Sequence, residues 1–185
     1  MKGDIPYVVW IQNLVMPTGL KATSSTVAIG FTASEVGPNT FAQTQIDLNL
    51  SPLDREVFVV QAIDLTLGAP DAIAGTDTSM LGSISTTRQT ATVTLANSNC
   101  LAIAANQIRA LGFVDGGVAF SQTAGESPNT LLEYIGIIAT SDFFVQVQGQ
   151  NNLLPHSMSG KLYGYRATAS ADIYAALVQS EVLSA

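Results

Sequence analysis

The sequence predicts an all-β protein, an antiparallel sandwich formed by one domain over residues 1–185. Three observations carry that expectation. Apolar and polar residues alternate with period two, most clearly over residues 143–150, where Phe143, Val145 and Val147 share one face and Gln146, Gln148 and Gln150 the other. The strand-like runs are short and are separated by Gly-, Pro-, Asn- and Asp-bearing turns, without the strand–helix alternation that builds a parallel sheet. Only the last segment joins helical spacing to a capping residue.

Taken in order, residues 1–20 read as an N-terminal extension. Within it, residues 7–16 are rich in β-branched and aromatic side chains and stop at Pro17-Thr18-Gly19, which predicts a strand reaching toward a neighbour. Tyr7 and Trp10 are candidate interface anchors there, with a core tryptophan as the other reading of Trp10. Val27, Ile29 and Phe31 alternate with small residues and predict a strand, closed by a turn at Gly37-Pro38. Residues 41–50 set Ile46, Leu48 and Leu50 against Gln45, Asp47 and Asn49. Residues 55–67 form the longest strand candidate, with Val57, Val59, Ile63, Leu65 and Leu67 on one face, interrupted by Gln61, and Phe58, Val60 and Ala62 on the other before Asp64 and Thr66. Such a strand is covered on both sides at its start and wet on one side at its end.

Residues 68–78 read as a surface loop, and residues 80–87 and 89–95 as Thr-rich strands. Over 96–110, Leu101, Ala104, Ala105 and Ile108 have the spacing of a short helix. Residues 108–113 and 117–122 flank Asp115-Gly116, the dipeptide a type I′ hairpin turn favours. A polar loop is expected over 123–129, then one bent strand or two over 131–150. Residues 161–167 place Tyr163 and Tyr165 opposite Leu162 and Arg166, and are expected to pair antiparallel with 142–150 across a polar connector. Residues 170–183 predict a short C-terminal helix, with Ser170 as N-cap, Asp172 complementing the helix dipole, and Ile173 and Leu177 at helical spacing. Nine or ten strands in this order, with no repeat of solenoid period, predict a jelly roll with an N-terminal extension.

Composition narrows the function. Charged residues make up 11% of the chain and the mean hydropathy is +0.32, so the chain has few ionic groups to cover itself with, which points to large contacts with other chains. The net charge is −7 and the seven basic residues are scattered singly, which argues against direct nucleic-acid binding. Cys100 is the only cysteine, so neither an intrachain disulfide nor a cysteine zinc cage is available. The first residues, Met1-Lys2-Gly3-Asp4-Ile5-Pro6, lack the pattern of a secretory leader. The longest apolar runs fall far short of the roughly 20 residues that cross a bilayer. A soluble product made in a cytoplasm, with no transmembrane segment, is expected.

No side chain carries a catalytic signature, and the chain is not expected to be an enzyme. His156, the sole histidine, has no nucleophile elbow to serve. Asp64, Asp71 and Asp77 are oxygen donors of the kind calcium uses, but their spacing fits no EF-hand and loop solvation accounts for them. Asp54 and Glu56 would point the same way on a strand, yet glycoside hydrolysis needs carboxylates facing across a cleft. No catalytic, cofactor-binding or metal-binding residue is therefore assigned. Tyr163, Tyr165 and Tyr174 join Tyr7 and Trp10 as interface candidates.

The run Ser159-Gly160-Lys161-Leu162-Tyr163-Gly164-Tyr165-Arg166-Ala167, followed by Ser170-Ala171-Asp172-Ile173-Tyr174-Ala175-Ala176-Leu177, resembles the ending of the single jelly-roll major capsid proteins of tailless icosahedral viruses of archaea and bacteria that enclose an internal membrane. The resemblance lies in overall pattern, since that group has no short diagnostic motif. It implies a virion structural protein, made in the host cytoplasm, whose partners are copies of itself and other capsid proteins. The missing basic arm fits a shell separated from its genome by a membrane or other proteins. Two readings stand beside it. One is a carbohydrate- or ligand-binding β-sandwich of a spike or fibre, with Tyr163, Tyr165 or Trp10 in its site. The other is a cupin-like enzyme, disfavoured because cupins bind metal through several histidines and this chain has one.

Overall fold

The computed structural model describes residues 17–112, 120–125 and 132–183, and these build antiparallel β-sheet with one helix. In chain order the elements are β1 (Leu20–Ala22), β2 (Val27–Ser34), β3 (Ala42–Asp47), β4 (Glu56–Leu67), β5 (Thr78–Ser85), β6 (Cys100–Arg109), β7 (Phe120–Gly125), β8 (Gly136–Ile138), β9 (Asp142–Gln150), β10 (Ser157–Ala169) and α1 (Ala171–Leu183). They form two five-stranded sheets. In the first, β1 and β2 lie along one edge of β10, β4 lies along the other, and β8 flanks β4. In the second the order is β3-β9-β5-β6-β7. Four of the pairings are nested: β2 with β10, β3 with β9, β4 with β8, and β5 with β6.

The sheets enclose one core, because alternate residues of each strand must leave water together. Phe31 of the first sheet meets Phe143 of the second edge to face, with ring centroids 5.9 Å apart and planes at 82°. Phe58, Met80, Ile84 and Met158 complete the centre of this cluster. A second cluster lies on the outer side of the first sheet, where Val57, Val59 and Tyr165 are covered by Ile173, Tyr174 and Leu177 of α1. The start of β4 is thus buried on both faces, as its sequence predicts, and the C-terminal helix forms where its spacing places it.

Two bulges decide which residues face the core. On β4, Ala62 pairs with Tyr163 and Val60 with Gly164, so Gln61 has no partner on β10. The extra residue reverses the alternation. Val57 and Val59 therefore pack under the helix while Phe58, Val60, Ile63, Leu65 and Leu67 share the inner core, instead of Val57 through Leu67 lining one face. On β6, Ile84 pairs with Ala102 and Ser85 with Cys100, leaving Leu101 unpaired. That bulge sends Leu101 and Ala104 to the same core, a spacing of three that mimics a helix within a strand. The helix expected over 96–110 is this bulged strand.

Other expectations also change. β9 and β10 do not pair with each other. Both edges of β9 are taken by β3 and β5, and both edges of β10 by β4 and the β1–β2 edge, so the connector after Gln150 crosses between sheets. Residues 89–95 are not a strand, because β6 and β9 already occupy both edges of β5. Their amides are satisfied by side chains instead: Gln89 N donates to Gln43 Oε1 at 2.9 Å and Val93 N to Ser83 Oγ at 3.1 Å. β6 and β7 are antiparallel neighbours, but their last pair is Arg109 with Phe120, so the connection is longer than a two-residue turn; Asp115 and Gly116 lie outside the described residues. The loop expected from Thr123 begins after Gly125. β8 and β9 belong to different sheets, which resolves residues 131–150 into two strands.

Candidate assembly surface

The links β2–β3, β4–β5, β6–β7 and β9–β10 leave the sandwich at one end, where Ser34, Leu67, Gln150 and Ile108 close their ladders. Loops at the end of a sandwich carry backbone amides with no ladder to join, and here carboxylates and amide side chains accept them. Glu35, just past β2, is buried, and its Oε1 accepts Gly149 N at 2.6 Å while Oε2 accepts His156 N at 3.0 Å. Asn39 and Asn152 bond reciprocally: Asn39 Nδ2 donates to Asn152 O at 2.8 Å and Asn152 N to Asn39 Oδ1 at 2.7 Å. Both Asn39 and its neighbour in the cluster Asn151 adopt positive φ, 60° and 58°, a conformation asparagine tolerates better than most residues.

Asp71 Oδ2 accepts the amides of Leu153 at 2.7 Å and Leu154 at 3.0 Å. These two N–H groups hold its carboxyl below the usual aspartate range. His156 Nε2 is buried without a hydrogen-bond partner, and Asp71 Oδ1 lies 3.5 Å away, beyond good hydrogen-bond range. Asp77 Oδ1 accepts Ala110 N and Leu111 N, each at 2.8 Å, and is likewise held low by those amides. With their backbones fixed in this way, the apolar tips point outward: Val36 is 95% exposed, Leu111 74%, Leu153 70% and Leu154 63%.

The interface candidates lie elsewhere. Tyr165 is buried beneath α1, and Tyr174 packs on the same cluster from the helix side, so both serve the domain's own second core. Tyr163 is half-buried on β10, opposite Ala28 and Ala62. Tyr7 and Trp10 lie outside the described residues. Asp54 sits in the loop before β4, bonded by Ser51 Oγ at 2.8 Å, so it does not share a strand face with Glu56, which pairs with Arg166 at 3.1 Å. Asp64 lies on β4 opposite Lys161. Among the described residues no group of three or more His, Cys, Asp or Glu could hold a metal, and no helix is long and apolar enough to cross a membrane.

Sequence reasoning missed Glu35, Asn152 and the Leu153–Leu154 pair. A usable signal was present: two adjacent leucines inside an otherwise polar connector, in a chain with few carboxylates to spend. The known protein-family models give no matching family, and the curated proteins give no match.

Proposed function

We propose that this chain is a structural protein of a viral shell, a jelly-roll subunit that assembles through repeated contacts between copies. The observation that carries this reading is the nesting of strands, first with last, over β2–β10, β3–β9, β4–β8 and β5–β6. Two facing sheets of that order are what a jelly roll requires, with β7 added at the rim of the second sheet, and capsid and lectin domains use this architecture. The scarcity of charge supports contacts with other chains over a solitary life in water. In this reading the inner core fixes the subunit's shape, loops make contacts whose symmetry closes a shell, and many weak contacts add up by avidity. Its partners would be copies of itself and other capsid proteins, over an internal membrane and without direct contact to nucleic acid.

A carbohydrate-binding module of a spike or fibre is the second reading. It is supported by a polar cleft of about 310 Å³ lined by residues that include Asp77, Gln107, Arg109 and Gln150. No aromatic residue lines that cleft to stack on a sugar, so assembly is the stronger reading. Electron microscopy and sedimentation of the purified full chain test both: closed particles or regular oligomers are expected. A monomer at every concentration, together with specific binding on a glycan panel, would replace assembly with the lectin reading.

A further inference from the structure

We infer that Leu153 and Leu154, with Val36 beside them, form a homotypic contact in which the loop end of one copy meets the same loop end of another. The inference rests on the assembly reading and names the surface it uses. An exposed leucine on a mobile loop loses freedom when it docks, which offsets what burial contributes. Here that freedom is already removed. Asp71 holds the amides of both leucines, Glu35 holds His156 N directly beyond them, and Asn39 holds Asn152 N directly before them. Val36 follows Glu35 in sequence, and Glu35 spans from β2 to Gly149 and His156, so the valine is fixed to the same framework.

The charge distribution selects the occupant. The chain carries a net charge of −7, so two copies repel unless they meet where carboxylates are neutralised. At this end Glu35, Asp71 and Asp77 all turn inward onto backbone N–H groups. At the opposite end Asp47 and Asp142 stand directly across a strand pair, bridged only by the Gln45 amide, and burial together with Asp47 pushes the Asp142 carboxyl up. A cationic partner would be drawn to that acidic end. The loop end, apolar and with its carboxylates satisfied, suits a second copy, and a rotation axis through it would bring like residues together.

The test uses the full chain. Wild type and the double variant Leu153→Ser/Leu154→Ser are compared by sedimentation across concentrations, with circular-dichroism melting as the folding control. The expected result is association weakened at least ~10-fold, the loss that follows from one buried leucine side chain per copy, at an unchanged melting temperature. An independent arm places Leu154→Cys in a Cys100→Ser background: oxidation should cross-link two copies through Cys at 154. Wild-type association with an unaffected double variant and no cross-link would overturn this contact while leaving assembly in place. A wild type monomeric throughout would overturn both. Flotation of monomers with phosphatidylcholine vesicles, lost in the double variant, would overturn the homotypic contact in favour of a membrane surface.

Discussion

Glu181, on the last turn of α1, accepts the backbone N–H of Ala139 through Oε1 at 3.0 Å, while its Oε2 accepts Thr140 N at 3.0 Å. The helix is thereby tied to the short link between β8 and β9, the point at which the chain passes from one sheet to the other. Replacing Glu181 with Ala leaves two amides without their acceptor. The expected cost is about 1–3 kcal/mol, read as a lower denaturant midpoint with an unchanged slope.

Burial raises the Glu181 carboxyl above its ordinary value of 4.5, against the pull of the two amides. A raised acid favours the folded state while protonated. Its contribution is complete below 4.5 and is lost as pH climbs through the folded value. Stability measured against pH should therefore decline more across that window in the wild type than in Glu181→Gln, which cannot titrate. Parallel curves would show that position 181 contributes nothing to the slope.

Asp71 behaves in the opposite sense. Its carboxyl is held low by Leu153 N and Leu154 N, so its contribution is present above 3.8 and fades as pH falls through the lower folded value. Asp71→Asn should speed hydrogen exchange at the Leu153 and Leu154 amides while leaving β-strand amides protected. Unchanged protection at both would refute the pinning of this loop.

Gly164 stands beside the β4 bulge, and a methyl there would collide with the Val59 carbonyl oxygen and the Phe58 ring. Gly164→Ala should cost ~1–3 kcal/mol from overpacking. Gly30 provides the contrast: nothing lies within 4 Å of where its side chain would start, so Gly30→Ala should be neutral or slightly stabilising. Equal thermal shifts in the two variants would contradict this placement of β4 against β10.

Gln146 is fully buried on the outer side of the second sheet, accepting Ser83 Oγ at 2.9 Å and donating to Ser85 Oγ at 2.6 Å. Ser83 in turn accepts Val93 N, so this glutamine anchors the non-strand segment that covers the sheet. Gln146→Leu should lose about 1–3 kcal/mol and raise exchange at Val93, because the Ser83 hydroxyl is left buried without its acceptor.

Most strands could be read from the chain because period-two alternation is a local consequence of the pleat, and β4, β9, β10 and the helix follow it closely. The failures are local too. At Gln61 and Leu101 one extra residue breaks the alternation, and a pattern of residue types cannot separate a bulge from a change of period. The candidate surface was harder to read. Asp71 and Leu153 are 82 positions apart, and only folding makes one the acceptor for the other.

By itself, then, the sequence determined an antiparallel β protein with a C-terminal helix, few charges and no cluster of cations, since alternation, capping and composition act over short distances or over the chain as a whole. The tertiary structure alone decided that β9 and β10 lie in opposite sheets, that Tyr165 is buried while Leu153 and Leu154 are exposed, and that Glu35, Asp71 and Glu181 turn inward. Which edge a strand joins depends on what already occupies it. Which way a carboxylate turns depends on amides supplied by distant residues, and neither is written in any window of neighbouring residues.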